Sequence, residues 1–353
     1  MLQLAGGLLL LLIGAGLSVR AAVRLAAWLK VRALIIGLTV MALGNSAPQL
    51  SVGVQAALSA NADIAVGSVV GSHIFNVLVT LGLCALIIPL RVPLQVVRVD
   101  IPLMIGACAL LTALAWDREI GVLDGLVLLA GLALCLLVIV RQASHAARHG
   151  HGHSHGPPQG DSPPRTLLEL LSLAGGLLLL IGGGHLLVDA TVTLAIHLGL
   201  SERIMGLTLM AVATSMPALI TSLVAALRGE RDMAVGTVIG TSLFNLLGVL
   251  GLTAVLAPAP LSVSPNSLAY DLPIMLSVAV LCLPLFCSGY RITRLEGLLL
   301  LALYAAYGLD IIGFSTGMLL AERLESWILH LVLPVLTALV IVDMVRTWWR
   351  HHR

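Results

Sequence analysis

Asp63–Gly82 reads DIAVGSVVGSHIFNVLVTLG, and Asp232–Gly251 reads DMAVGTVIGTSLFNLLGVLG. The match is too long and too ordered for chance, and it is not alone. GLTVMALGNSAPQL from Gly37 returns as GLTLMAVATSMPAL from Gly206, and AGGLLLLLIGAG from Ala5 as AGGLLLLIGGGH from Ala174. All three pairs stand 169 positions apart. DIPLMI from Asp100 pairs with DLPIML from Asp271, and LDGLVLL from Leu123 with LEGLLLL from Leu295, at nearly the same offset. A constant offset with few gaps marks an internal duplication.

The duplicated unit is lipid-soluble. Of the 353 residues, 59% are hydrophobic and 10% charged, more apolar surface than a soluble domain can bury. Each copy divides into five apolar runs. The first copy places them near 4–19, 33–58, 64–88, 100–115 and 122–140, and the second near 171–195, 204–227, 233–257, 271–287 and 295–313. The first run resembles a signal peptide in length, but it lacks a basic leader and recurs mid-chain, so it reads as a membrane helix. An odd number of spans per copy inverts the second copy in the membrane, the plan of many secondary transporters. The expected fold is an all-α polytopic membrane protein: two inverted five-helix repeats, ten core helices in all. An eleventh span is expected at Trp327–Val345, with a surface-lying helix as the rival reading.

Loop charge orients the chain. Arg20, Arg24, Lys30 and Arg32 fall in the first loop, Arg91 and Arg98 in the third, and Arg141, Arg148 and Arg165 in the central linker. Arg228 and Arg231 lie in the seventh loop, and Arg291 and Arg294 in the ninth. Alternate loops therefore carry the positive charge, which places the N-terminus outside and the linker in the cytoplasm of a cell (inner) membrane. The expected division is 1–142 for the first repeat, 143–166 for the linker, 167–314 for the second repeat and 315–353 for the extra segment and basic tail. The linker carries His145, His149, His151, His153 and His155 among Gly, Pro and Ser. It reads as a solvated tether, with weak zinc or nickel binding as the other reading. The five cysteines lie in apolar runs without metal-ligand spacing and read as buried hydrophobes.

The chemistry concentrates in the second and third spans of each copy. Pro48 and Pro217 each interrupt a span at mid-length, kinking the helix and freeing carbonyl groups. Asn45, Ser46 and Gln49 accompany the first proline, and Thr214 and Ser215 the second. Irregular backbone at that depth is tolerated where it is buried or lines a cavity. In the third spans Ser72 and Asn76 share a helix face, as do Thr241 and Asn245. Together these groups offer hydroxyl, amide and carbonyl oxygens, the ligands that hard cations such as Na⁺ and Ca²⁺ prefer. Small-residue packing explains any one of them equally well, but not two matched clusters. His73 could carry a proton or simply pack.

These motifs resemble the α-repeats of the calcium/cation antiporter superfamily, especially the prokaryotic sodium/calcium exchangers, whose pattern is roughly G-[TN]-S-x-P-E followed by G-S-N-I-F-N. The chain has GNSAPQL with GSHIFN, then ATSMPAL with GTSLFN. The resemblance implies secondary active antiport by alternating access, with helices 1 and 6 sliding. It implies ion ligands at Asn45, Ser46, Ser72 and Asn76, and at Thr214, Ser215, Thr241 and Asn245. The family's two central glutamates would fall at Gln49 and Ala218, so Gln49 joins the candidate ligands as an amide. Without those carboxylates a Ca²⁺ ion would face neutral groups alone, and Asp63, Asp189 and Asp232 sit near span ends or out of register. The alternative is a transport-inactive relative that regulates or scaffolds. No Ser/His/Asp set, HExxH or phosphate loop suggests an enzyme, and the spans hold no His/Asp pairs of the zinc-transporter kind. Lipid and small inorganic cations are the expected partners. Neither a cofactor nor nucleic acid is expected.

Overall fold

A computed structural model of the chain describes residues 2–29, 31–59, 62–148, 166–198, 205–287 and 289–316. The described residues form ten long helices in two sets of five. The first set is α1 (Leu2–Leu29), α2 (Ala33–Leu58), α3 (Ala62–Ile87), α4 (Val96–Asp117) and α5 (Val122–Arg148). The second is α6 (Thr166–Leu198), α7 (205–227), α8 (Arg231–Leu256), α9 (Ser267–Cys287) and α10 (Arg294–Thr316). Among the described residues, α1 to α9 are long and apolar enough to cross a bilayer. The possible eleventh span at Trp327–Val345 lies outside the described residues. So does most of the His-rich linker, although α5 runs past its apolar run, which ends near 140, to Arg148.

The inversion is visible in the loops. Strand β1 (Leu90–Arg91) pairs antiparallel with β4 (Arg291–Ile292), which joins the α3–α4 loop to the α9–α10 loop at one end of the bundle. Strand β2 (Glu119–Ile120) pairs with β3 (Leu261–Ser262), which joins the α4–α5 and α8–α9 loops at the other end. Equivalent loops of the two copies thus lie at opposite ends. The likeness extends to single backbone angles. Among the described residues, Arg118 (φ 67°) and Tyr290 (φ 54°), repeat counterparts in the turns before β2 and β4, are the non-glycine residues with left-handed backbone.

Helix contacts obey the same two-fold. Helices α1 and α6 pack together along a glycine seam. A Cβ on Gly7 would stand 3.0 Å from the Gly183 carbonyl oxygen, and one on Gly14 2.8 Å from that of Gly176. Small residues admit this backbone-to-backbone approach, where van der Waals contact replaces the hydrophobic drive lost in lipid. In the same way Gly82 of α3 meets Gly297 of α10, and Gly251 of α8 meets Gly125 of α5. The fifth helix of each copy is therefore clasped to the third helix of the other.

Helices α1 and α6 are longer than the apolar runs suggest, at 28 and 33 residues. At about 1.5 Å per residue both exceed a hydrocarbon core of roughly 30 Å. The chain beyond the apolar run stays helical because Arg24, expected in a loop, bonds Glu169 across the α1–α6 pair at 2.6 Å. Glu169 is buried and Arg24 half-exposed. Arg24→Ala strands a buried carboxylate and is expected to cost about 1–3 kcal/mol. Adding Glu169→Gln should restore much of that loss, as thermal melting of the single and double variants in detergent would show.

Candidate ion site

Helices α2, α3, α7 and α8 form the centre, and each copy leans on the other. The α2 backbone runs against the glycines of α8: a Cβ on Gly236 would lie 2.7 Å from the Leu34 carbonyl oxygen, and one on Gly240 2.5 Å from that of Leu38. All four helices are irregular at matched positions. Wider π-type turns occupy Gly37–Met41 and Met205–Met210, one turn before the Pro-containing segments. Others occupy Asn76–Thr80 and Phe244–Val249, where the third helices carry Asn76 and Asn245. Such turns often mark functional sites, because the extra residue re-aims side chains and loosens the carbonyl ladder. Pro48 and Pro217 lie inside their helices and withhold one backbone donor each.

All nine sequence-derived candidates are buried: Asn45, Ser46, Gln49, Ser72, Asn76, Thr214, Ser215, Thr241 and Asn245. Three of them meet. The Ser72 Oγ lies 3.0 Å from the Gln49 Oε1 and 3.1 Å from the Thr214 Oγ1, which links α3 to α2 and α7. The Ala211 carbonyl oxygen is 3.4 Å from the same hydroxyl. Thr214 gives its own proton to the Met210 carbonyl at 2.7 Å. One Ser72 proton thus faces three acceptors. Asn45 accepts from Thr221 at 3.4 Å. Ser46 Oγ, Ser215 Oγ, Thr241 Oγ1, Asn245 Oδ1 and both polar atoms of the Asn76 amide have no hydrogen-bond partner. Unmet polar atoms at this density are rare in native interiors and call for a ligand or water.

Two neighbours escaped the sequence reading. Ser68 accepts from the Gln49 Nε2 at 2.8 Å while donating to the Ala65 carbonyl, which fixes the amide with its oxygen toward Ser72. Its repeat counterpart Thr237 has no partner, and neither has Thr241, the counterpart of Ser72. Ala218, the repeat counterpart of Gln49, has no polar side-chain atom to offer them. The signal was present as a hydroxyl residue four positions before Ser72 and before Thr241. Every side chain in the Gln49–Ser72–Thr214 cluster is neutral. His73 turns elsewhere, with its Nε2 3.7 Å from the Cys108 Sγ on α4. Among the described residues no His, Cys, Asp and Glu side chains gather as a metal centre.

The sodium/calcium exchanger protein family profile matches residues 1–141 and 168–312, both copies nearly whole. The chain belongs to the sodium/calcium exchanger family. It is 34% identical over 302 residues to the putative antiporter CaxA of Alkalimonas amylolytica, covering 85% of this chain and 95% of that protein. It is 36% identical over 277 residues to the inner membrane protein YrbG of Escherichia coli, covering 78% and 85%. Among solved structures, the sodium-calcium exchanger NCX_Mj soaked with Na⁺ and Ca²⁺ superposes with a TM-score of 0.71 at 28% identity, over 88% of this chain and 96% of that one. This member of the exchanger family is an integral membrane protein of the transporter class.

Proposed function

We propose that this chain is a secondary active cation antiporter that carries its ion among the neutral oxygens between the two repeats. The observation behind the reading is the proton shortage at Ser72: three acceptors within hydrogen-bond reach and one proton to share. A bare cation resolves it by taking the Gln49 carbonyl and the Ser72 and Thr214 hydroxyl oxygens as ligands. Asn45, Ser46, Asn76, Ser215, Thr241 and Asn245 supply the remaining oxygens, several of which lack any other partner.

Charge decides the ion. Desolvation cost grows with the square of charge, so Ca²⁺ loses about four times what Na⁺ loses on leaving water. Two glutamates would repay that difference, and Gln49 and Ala218 do not. A neutral oxygen set suits a monovalent hard cation, and Na⁺ is the ion proposed. The glycine seam and the Arg24–Glu169 bond hold α1 and α6 as one pair, which supports alternating access by movement of that pair against the other helices. The regulator or scaffold reading leaves the crowded oxygens of Ser72 without a purpose.

Orientation follows the positive charge. Arg32 bonds Asp232 at 2.9 Å, and Arg228 bonds the Gly16 carbonyl. The α1–α2 and α7–α8 loops therefore share an end, as do the loops joined by β1 and β4, and these loops carry the excess arginine. That end, with the linker, is assigned to the cytoplasm and the N-terminus to the outside. Ser72→Ala removes the central ligand without adding charge. In proteoliposomes its gradient-driven uptake of labelled sodium is expected to fall at least about tenfold, the factor for losing roughly 1.4 kcal/mol of ligation. Uptake equal to that of the unaltered protein would remove Ser72 from the site.

A further inference from the structure

Asp100 stands apart from the ion cluster. It ends the π-type turn Val96–Asp100, where the regular part of α4 begins, and it is 0% exposed. Neither carboxyl oxygen has a hydrogen-bond partner. Its position before Ile101 and Pro102 suggests a helix cap, yet it makes no capping bond. A buried acid that neither caps nor bonds is not explained by structure. In membrane proteins such an acid points to function.

The charged group acting on it is Arg32, from the start of α2. That guanidinium is already engaged with Asp232 of α8 at 2.9 Å. The pair is about one-third exposed at the arginine and two-fifths at the aspartate, so it reaches water where Asp100 does not. The other packed helices bring little. Helix α5 offers the Cys135 thiol, and its Arg141 is exposed. Helix α9 carries no charged residue from Leu272 to Cys287, and its titratable groups there are Cys282 and Cys287. Helix α8 adds Arg231 beside Asp232, and α4 itself adds exposed Arg98.

We propose that Asp100 is a proton-binding site separate from the cation cluster, with Arg32 answering its ionisation by exchanging Asp232 for Asp100. With the proton on Asp100, the carboxyl is neutral and Arg32 ties α2 to α8. When the proton leaves to water past the partly exposed pair, the carboxylate is a buried anion that needs a partner. Arg32 turns to it, and the α2–α8 tie opens. Since α2 and α8 both carry ion ligands, cation exchange is faster at high pH than at low. Only this last consequence rests on the antiport reading.

Infrared difference spectra across a pH titration of the unaltered protein test the site directly. The expected result is a protonated-carboxyl stretching band that fades as pH rises, is lost in Asp100→Asn, and persists at a shifted frequency in Asp100→Glu. In proteoliposomes Asp100→Asn should flatten the pH profile of sodium exchange at its acid-side value. An absent band in the unaltered protein, or one unchanged in Asp100→Asn, would overturn the proposal. The band without any flux would leave the proton site standing and remove the antiport reading.

Discussion

Gln49→Glu together with Ala218→Glu is expected to raise calcium affinity by about 100-fold, roughly 3 kcal/mol. Each carboxylate attracts a dication at about 4 Å by several kcal/mol at an effective dielectric near 20, and part of that is spent on desolvation. The receiving groups are in place. Ser68 and Ser72 already hold the Gln49 amide, and their repeat counterparts Thr237 and Thr241 are buried without hydrogen-bond partners. Without calcium the double variant should melt below the unaltered protein, because two buried anions repel. Calcium at 100 times its Kd should then return about 2.7 kcal/mol. Calorimetric titration reads the affinity and thermal melting the stability. Unchanged calcium binding would mean that the site lies elsewhere.

Gly184→Ala is expected to abolish exchange and to destabilise the protein by about 1–3 kcal/mol. A Cβ there would stand 2.5 Å from the Cγ of Pro48 and 3.2 Å from that of Pro217. Proline rings cannot rotate out of the way, so one methyl group would push α6 off both kinked helices at once. Gly182, two residues earlier, has no atom within 4 Å of the same added carbon. Gly182→Ala is the matched control and should leave melting and flux unchanged. Equal behaviour of the two variants would show that α6 does not bear on the Pro48 and Pro217 kinks.

The repeats were legible because identity at one offset survives wherever backbone meets backbone. Gly14 and Gly183, or Pro48 and Pro217, leave no tolerant substitute. Inversion followed from counting spans. The lengths of α1 and α6 did not follow, because the apolar runs end at Arg20 and at Glu169 while both helices continue through the Arg24–Glu169 pair. The π-type turns were invisible, since an extra residue per turn is set by packing and has no residue code of its own. In the site, the motif residues were readable, but the partners that orient them were not. Ser68 and Thr221 are ordinary hydroxyls until the fold brings Gln49 and Asn45 to them. Asp100 was seen only as one half of a repeat pair. Its isolation from every hydrogen-bonding partner is a tertiary fact.

The proposed function is exchange of a monovalent cation through a site without carboxylates. Tracer counterflow in proteoliposomes loaded with unlabelled sodium tests it most directly. The expected result is accumulation of labelled sodium that persists with excess calcium outside and is lost in Ser72→Ala. Absence of counterflow, or its abolition by low calcium, would contradict it.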